Sequence, residues 1–554
     1  MKNIFSIKRS IEYILYCVLY CILFKSVVEY NKLSMQYTFC TVNTYLRSRL
    51  IMGEIIAFVL YFVAMLGIGV WFFAKSKSNS EKDYFLGGRS MGPWVTAMSA
   101  QASDMSAWLL MGLPGSILAF GLGQAWIGIG LAIGTALNWI IVAKRLRKFS
   151  KASGDAITLP QYLTNRFLAK SSVLKIICAV VFLVSFTIYV ASAFSAGSQV
   201  FTQLFPSLDK SLAMIIFAAI ILVYTFLGGY KAVCWTDFFQ GLLMLVALLA
   251  VPIMLVAAGN TDSSLLSQVV EGADGTKYSF ITNLFTASPQ EIISGLAWGL
   301  GYFGMPHILV RFMAIEKPSM VKKSSIVAII WVVITLAAAV FMAYFGRMYL
   351  MDGESFAATL LANGQQELIF VKLTRYLFPG FVAGILLAAI IAASMSTADS
   401  QLLVASSSFT SDIYKPIIRK NASDKELLWV GRIVVIIVAI VAYFIANGGE
   451  GAAQIMSLVS NAWALFGAAF GPVIILSLFW KRFTYKGAVA GIVVGAVVDI
   501  LWLIYLSGPT GIYEIVPGFV AAAIAAVVVT LLDKKPSAEV EAIYVAATDK
   551  NIDD

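Results

Sequence analysis

The chain reads as an all-α, polytopic membrane protein, and three observations lead there. Of its 554 residues, 60% are hydrophobic and only 13% are charged, against roughly 25% charged in soluble domains. Apolar runs recur along the whole chain at about 20 residues each, the length a helix needs to cross a bilayer. Those runs are too long and too evenly apolar for barrel strands, and lipid admits only helices or closed barrels because the backbone must satisfy itself.

About thirteen transmembrane helices are expected. In order they cover residues 53–74, 94–113, 118–143, 173–203, 210–229, 232–259, 289–310, 324–349, 372–413, 428–447, 454–480, 487–507 and 513–532. The run 372–413 exceeds one crossing and is expected to tilt or to extend past the membrane surface. Alternating the spans from an outside N-terminus gathers Lys75, Lys77, Lys82, Arg89, the cluster from Lys144 to Lys175, Arg311, Lys322, Lys323, Lys415, Arg419, Lys481 and Arg482 on one side. That side is the cytoplasm, by the excess of Lys and Arg on cytoplasmic loops, and it accounts for the net charge of +10 without an acidic partner or nucleic acid.

Residues 1–51 fit this pattern poorly, because Ile11 to Phe24 is short for a span and Arg47 and Arg49 fall on the outer face. The extension reads as a start-codon artefact or an uncleaved leader, ahead of a transmembrane domain over 52–536 and a cytoplasmic tail over 537–554. Loops are short apart from 144–172, 260–288 and 350–371, so function is expected among the helices. Five cysteines without a CxxC pair and a single histidine, His307, offer no metal or redox centre. No Ser/His or paired-carboxylate arrangement suggests bond chemistry either, so the chain does not read as an enzyme.

Two spans carry helix-breaking residues. Segment 94–113 runs into Met111-Gly112-Leu113-Pro114-Gly115, and 289–310 holds Gly295, Gly299, Gly301, Gly304 and Pro306. Such breaks free backbone groups that lipid cannot satisfy and survive where they line a cavity or coordinate a ligand; glycines that merely allow close helix packing are the competing reading. The two segments start five helices apart, the spacing of an inverted repeat of five plus five helices, a LeuT-like plan with a broken helix opening each unit.

Asp104 sits inside the first of these segments, among residues otherwise apolar, small or hydroxylated. An ionised carboxylate there is costly and marks an ion or substrate path, unless a basic residue on another helix pairs with it. The stretch Ala388 to Gln401 is a second constellation: Ala393, Ser396, Thr397 and Ser400 share one helical face. Sodium is a hard cation that wants oxygen ligands, which hydroxyls and unwound carbonyls supply; hydroxyls that bond back to their own helix are the alternative.

The motifs Phe85-Leu86-Gly87-Gly88-Arg89-Ser90, Ala102-Ser103-Asp104-Met105-Ser106-Ala107-Trp108, Tyr224 to Tyr230, Trp235-Thr236-Asp237, Trp298-Gly299-Leu300-Gly301-Tyr302-Phe303-Gly304, Pro306-His307-Ile308-Leu309 and Met395-Ser396-Thr397 resemble those of the sodium:solute symporter family, in order from about Met52 to Pro536. In detail the likeness is greatest to the members that carry proline. The resemblance implies sodium (Na+) as the co-transported ion and L-proline as the solute, taken up across the plasma membrane. It implies a sodium site of the backbone carbonyls of Ala102, Met105 and Ala393 and the hydroxyls of Ser396 and Thr397, with Asp104 nearby setting affinity. Proline is then expected against Trp108, Tyr189, Trp298, Tyr302 and Pro306, since aromatic rings give a small apolar ligand a shaped wall. Arg89 resembles a position important for coupling, with a membrane-surface anchor as the alternative. Asp399 and Ser400, with Asp237, resemble the arrangement by which some relatives hold a second sodium. Ala107 and Met305 depart from the Gly and Gln of well-known proline carriers, which puts solute fit in question. Another small zwitterion, a vitamin or an organic acid remains open as the solute, and a solute sensor remains open as the role; no obligate protein partner is evident.

Overall fold

The computed structural model describes residues 51–72, 81–448 and 455–549. The expected N-terminal extension therefore lies outside the described residues except for Ile51, which opens helix α1 (Ile51–Phe72). Among the described residues ten helices are long and apolar enough to cross a membrane, eleven if the bent pair Pro289–Phe303 and Pro306–Ala314 counts as one span.

The helices that position the site follow in chain order. They are α2 (Pro93–Asp104), α3 (Gly112–Phe120), α4 (Ala125–Leu137), α5 (Val173–Leu204), α6 (Lys210–Ala258), α7 (Pro289–Ala297), α8 (Pro306–Ala314), α9 (Val321–Met348), α10 (Gly380–Ser407), α11 (Asp424–Asn447), α12 (Ile455–Phe479), α13 (Tyr485–Tyr505), α14 (Ile515–Leu532) and α15 (Ala538–Thr548). Local chemistry sets many of the starts. Proline occupies the first position of α2, α7 and α8, where its fixed φ suits a helix and its missing N–H costs nothing. Ser288 and Glu291 form a reciprocal capping box on α7, and Asp209 accepts from the backbone N–H groups of Ser211 and Leu212 to start α6.

The layering follows from which helices are apolar all round. The most apolar stretch of the span containing α10 and that of α12 are each 83% buried inside the protein, against 28% for α1 and for α14, so α10 and α12 are central and α1 and α14 face lipid. Close approach of α4 to α7 and to the segment Trp298–Phe303 that follows it depends on glycine: a Cβ at Gly130 would stand 2.4 Å from the Gly295 carbonyl oxygen of α7, and one at Gly134 would stand 2.3 Å from that of Gly299 in the following segment. The packing reading of the α7 glycines therefore holds alongside the break described below.

Several boundaries differ from expectation for physical reasons. The run 372–413 is not one continuous helix: Phe378 is extended (φ −123°, ψ 148°) ahead of Pro379, as the residue before proline prefers, and it separates a short helix Ile369–Leu377 from the single span that α10 opens. Segments 210–229 and 232–259 are joined rather than looped, through a kink at Gly229, whose φ of 57° only glycine adopts easily. The long loops are partly ordered, with short helices Lys144–Ala152 and Leu159–Arg166 and two-residue antiparallel strands pairing Val270–Glu271 with Lys277–Tyr278 and Leu350–Met351 with Glu354–Ser355. Arg311, counted above as a loop charge, and Arg347 are buried at 1% exposure each. Arg347 caps loop carbonyls, donating to the Gln268 oxygen at 2.6 Å. At the N-terminal end of α1, Glu54 takes a bidentate contact from Arg375, at 2.9 and 2.5 Å.

The substitution Gly134→Val is expected to lower the melting temperature of the purified protein in detergent, by an overpacking cost of about 1–3 kcal/mol. A Val variant that melts with wild type would contradict backbone contact between α4 and the segment Trp298–Phe303.

Candidate functional site

Both expected breaks are present, and each has a local cause. Helix α2 ends at Asp104; Met105 (φ −83°, ψ 74°) and Ser106 (φ −66°, ψ −167°) leave the helical region, Ala107–Leu109 makes a 3-10 turn, and α3 begins at Gly112. Helix α7 passes at Trp298 into a 3-10 segment through Phe303, Met305 is extended ahead of Pro306, and α8 leaves with a bend of 43°.

One hydrogen bond ties the two breaks together. The Tyr302 hydroxyl, in the second, donates to Asp104 Oδ2, at the end of the first, over 2.6 Å. Asp104 is fully buried, its Oδ1 has no hydrogen-bond partner, and no Lys or Arg stands within ion-pair distance of it among the described residues. A carboxylate held this way is under-compensated, because burial of an unpaired charge costs several kcal/mol. The Tyr189 hydroxyl reaches the Asp104 carbonyl oxygen at 3.3 Å.

The hydroxyl face of α10 meets the same break. Ser396 Oγ lies 2.8 Å from the Ala102 carbonyl oxygen and 3.2 Å from that of Ala393, so the back-bonding geometry and the cross-helix contact coexist at one hydroxyl. Thr397 Oγ1, next along, is buried without a partner, and Met105 is the first residue past Asp104. The structure thus gathers Ala102, Ala393 and Ser396 at one point, with Thr397 and Met105 adjoining. The available donors are carbonyl, hydroxyl and carboxylate oxygens, a set suited to a hard cation and not to a soft metal. The buried orphan oxygens of Asp104 and Thr397 fit a cation whose ligands are not all engaged by the protein itself.

The residues expected to line the solute site are buried. Trp108, Tyr189, Trp298 and Tyr302 are each no more than 5% exposed; the Trp108 and Trp298 rings stand 6.1 Å apart; and buried Pro306 opens α8. The sequence reading missed several neighbours. Trp463 of α12 donates its indole N–H to the Trp298 carbonyl at 2.8 Å and lies edge-on to Tyr302 at 5.0 Å, while Tyr513, just before α14, stacks on Trp298 at 5.2 Å. Asn138 donates to the Tyr302 carbonyl at 3.0 Å, satisfying a group that the second break releases. Asn138 was visible as an amide in the middle of an apolar run; Trp463 and Tyr513 had no such signal. His307 is buried against the rings of Phe186 and Tyr189.

Arg89 is 7% exposed, which rules out a lipid-surface anchor. Its guanidinium contacts Asp155 Oδ1 at 2.8 Å, Ser150 Oγ at 3.1 Å, the Ala156 carbonyl at 2.8 Å and the Met313 carbonyl, linking the segment before α2, the 150–156 loop and the end of α8. At the place expected for a second sodium, Asp237 and Ser400 instead contact a guanidinium, that of Arg311, at 3.0 and 2.5 Å; Asp399 is buried beside them.

Ten or more apolar spans, two interrupted helices and an under-compensated carboxylate where they cross make this chain a membrane transporter by its build. The Sodium:solute symporter family matches residues 84–495, and the chain belongs to that family. It is 45% identical over 491 residues to the Sodium/proline symporter of Haemophilus influenzae, covering 88% of this chain and 96% of that one. It is 44% identical over 495 residues to the Sodium/proline symporter of Escherichia coli, covering 89% and 96%. The Osmoregulated proline transporter OpuE of Bacillus subtilis is 41% identical over 484 residues, covering 87% and 95%. Among solved structures, a Na+-coupled sialic acid symporter in a substrate-bound outward-open state shares the fold with a TM-score of 0.68 at 21% identity, covering 88% of this chain and 98% of that one. A nucleobase-cation-symport-1 family transporter in a closed conformation follows at a TM-score of 0.53 and 14% identity, covering 85% and 99%.

The loop contact at Arg89 carries a pH signature. Burial pushes the Asp155 carboxyl up, but the Lys82 and Arg89 contacts outweigh it and hold the group below its ordinary value. A depressed carboxylate contributes its stability above the unfolded value of about 3.9 and loses it as pH falls through the folded value. Backbone exchange in residues 150–156 is therefore expected to rise on acidification below about pH 4, and Asp155→Asn to show the raised exchange already at neutral pH. Exchange in the variant that matches wild type at pH 7 would contradict the contact.

Proposed function

We propose that the protein is a sodium-coupled symporter that imports L-proline across the plasma membrane by alternating access. The observation that carries the reading is the under-compensated Asp104 carboxylate, tied through Tyr302 to the second broken helix. Similarity of 41–45% to proline carriers over almost their full length supports the solute.

On this reading sodium is the co-substrate, held by the carbonyls of Ala102, Met105 and Ala393 and the hydroxyls of Ser396 and Thr397, with Asp104 setting the local field. Proline takes the space among Trp108, Tyr189, Trp298, Tyr302 and Pro306. Its carboxylate and imino group are met by the helix ends freed at the breaks, which carry opposite partial charges. Because Asp104 and Tyr302 belong to different breaks, neutralising the carboxylate changes the bond between them, and ion binding thereby orders the solute wall. Arg89 couples this to the cytoplasmic side through its contacts with the 150–156 loop and α8. The membrane potential supplies about 2.3 kcal/mol per charge at 100 mV, enough by itself for a roughly forty-fold gradient of a neutral solute.

The topology behind this is thirteen crossings. Taking Pro93–Phe120 as one broken span and the short apolar helix Lys210–Val223 as another adds two to the eleven. Helices α2 to α6 then form the first five-helix unit and α7 to α12 the second, in inverted orientation. The transmembrane domain is 52–536, the N-terminus of this core lies outside, and the tail 537–554 is cytoplasmic. Helix α15 in that tail packs against the cytoplasmic loops through Arg166 to the Val540 carbonyl at 3.2 Å and Lys481 to Glu541 at 2.8 Å.

Uptake of labelled L-proline by cells lacking their own proline carriers is expected to depend on sodium and to be competed by excess L-proline. Uptake indifferent to sodium would remove the coupling, and uptake of another amino acid that excess proline leaves untouched would remove the solute. Asp104→Asn is expected to raise half-saturating sodium roughly 10- to 100-fold, the equivalent of a charged contact of about 1.5–3 kcal/mol. Ser396→Ala and Thr397→Ala are expected to raise it less, and sodium dependence unchanged in all three would relocate the site.

A further inference from the structure

The place where a second sodium was expected already holds a positive charge. Arg311, on α8, is 1% exposed and directs its N–H groups to four oxygens, three from neighbouring elements and one from its own helix. Nε donates to Ser99 Oγ at 3.0 Å, Nη1 to the His307 carbonyl at 2.7 Å, and Nη2 to Asp237 Oδ2 at 3.0 Å and Ser400 Oγ at 2.5 Å. Both hydroxyls that receive the guanidinium pass their own protons on to carboxylates, Ser99 to Asp237 at 2.7 Å and Ser400 to Asp399 at 3.2 Å. One carboxylate, two hydroxyls and one carbonyl are the donor types a hard monovalent cation takes.

The position matters as much as the donors. Ser400 is one helical turn from Ser396 on α10, and Ser99 is one turn from Ala102 on α2, so the guanidinium sits about 6 Å along the same helix pair from the proposed sodium site. A structural ion pair would need one acid for one base. Here two buried acids, Asp237 and Asp399, share one arginine, and Asp237 Oδ1 and Asp399 Oδ2 are both buried without partners.

We propose that Arg311 is a tethered cation in a second monovalent-cation site, so that the protein carries a single sodium per solute, and that removing its charge converts this place into a second sodium site. The inference rests on the sodium symport reading for its consequence, but the site itself is read from the Arg311 contacts alone.

The test counts ions in two ways. Equilibrium binding of radioactive sodium to purified protein is expected to give about one ion per wild-type or Arg311→Lys protein and about two per Arg311→Gln protein. In proteoliposomes the Hill coefficient for sodium and the charge moved per proline are expected to rise from about 1 to about 2 in Arg311→Gln and to stay at about 1 in Arg311→Lys. One ion bound to Arg311→Gln would overturn the proposal, as would two bound to wild type. If Arg311→Gln does not fold in low sodium, the proposal expects high sodium, and not choline, to restore its thermal transition; no rescue, whether or not the charge-free Arg311→Gln/Asp237→Asn protein folds, also overturns it. Wild-type protein that moves no proline would instead fail the symport reading, leaving the binding count to decide this one.

Discussion

The bond between Tyr302 and Asp104 joins the two places where helical hydrogen bonding is interrupted, and the rest of the architecture can be followed outward from it. Breaking a helix in lipid leaves carbonyls and N–H groups without partners, and each interruption here is closed by a specific side chain: Asn138 takes the Tyr302 carbonyl, Trp463 takes that of Trp298, and Ser396 takes that of Ala102. Those three side chains come from α4 and its continuation, α12 and α10, which fixes why α10 and α12 must be central. The glycines of α4 and α7 then bring the second break close enough for Asn138 to reach it.

The interior manages its acids in two different ways. Asp104 receives only a phenol hydroxyl and keeps one oxygen without a partner, while Asp237 receives a full guanidinium and a serine hydroxyl. Two monovalent cations one helical turn apart, about 6 Å, repel by about 3 kcal/mol at an effective dielectric of 20. Buried acids offset that repulsion, and the chain supplies three of them, Asp104, Asp237 and Asp399, around one arginine. On the proposed reading the remaining negative charge is what makes a desolvated sodium ion welcome in an otherwise apolar bundle.

Much of this was legible in the letters because membranes simplify the code. Span length follows what lipid requires and reveals the crossings, while the intramembrane Asp104 and glycine or proline inside a span violate what lipid prefers, and those violations mark part of the site. What stayed hidden has equally physical causes. Arg311 was counted as a cytoplasmic loop charge because a basic residue near a span end normally stays wet, and nothing in the sequence pairs it with Asp237, 74 residues away. Trp463 and Tyr513 lie in apolar surroundings where an aromatic is unremarkable, and only the fold brings them to Trp298. The run 372–413 looked continuous because Phe378-Pro379 carries no polar residue, although the extended preference ahead of proline divides it.

The central claim is that the Asp104 carboxylate is left under-compensated so that a sodium ion can complete it and order the solute wall. Equilibrium binding of labelled L-proline to purified wild-type and Asp104→Asn protein, with sodium and with choline in its place, tests this most directly. The account predicts tight binding to wild type in sodium, at least tenfold weaker binding in choline, and a much smaller sodium effect in the variant. Equal proline affinity in sodium and choline for wild type would contradict it.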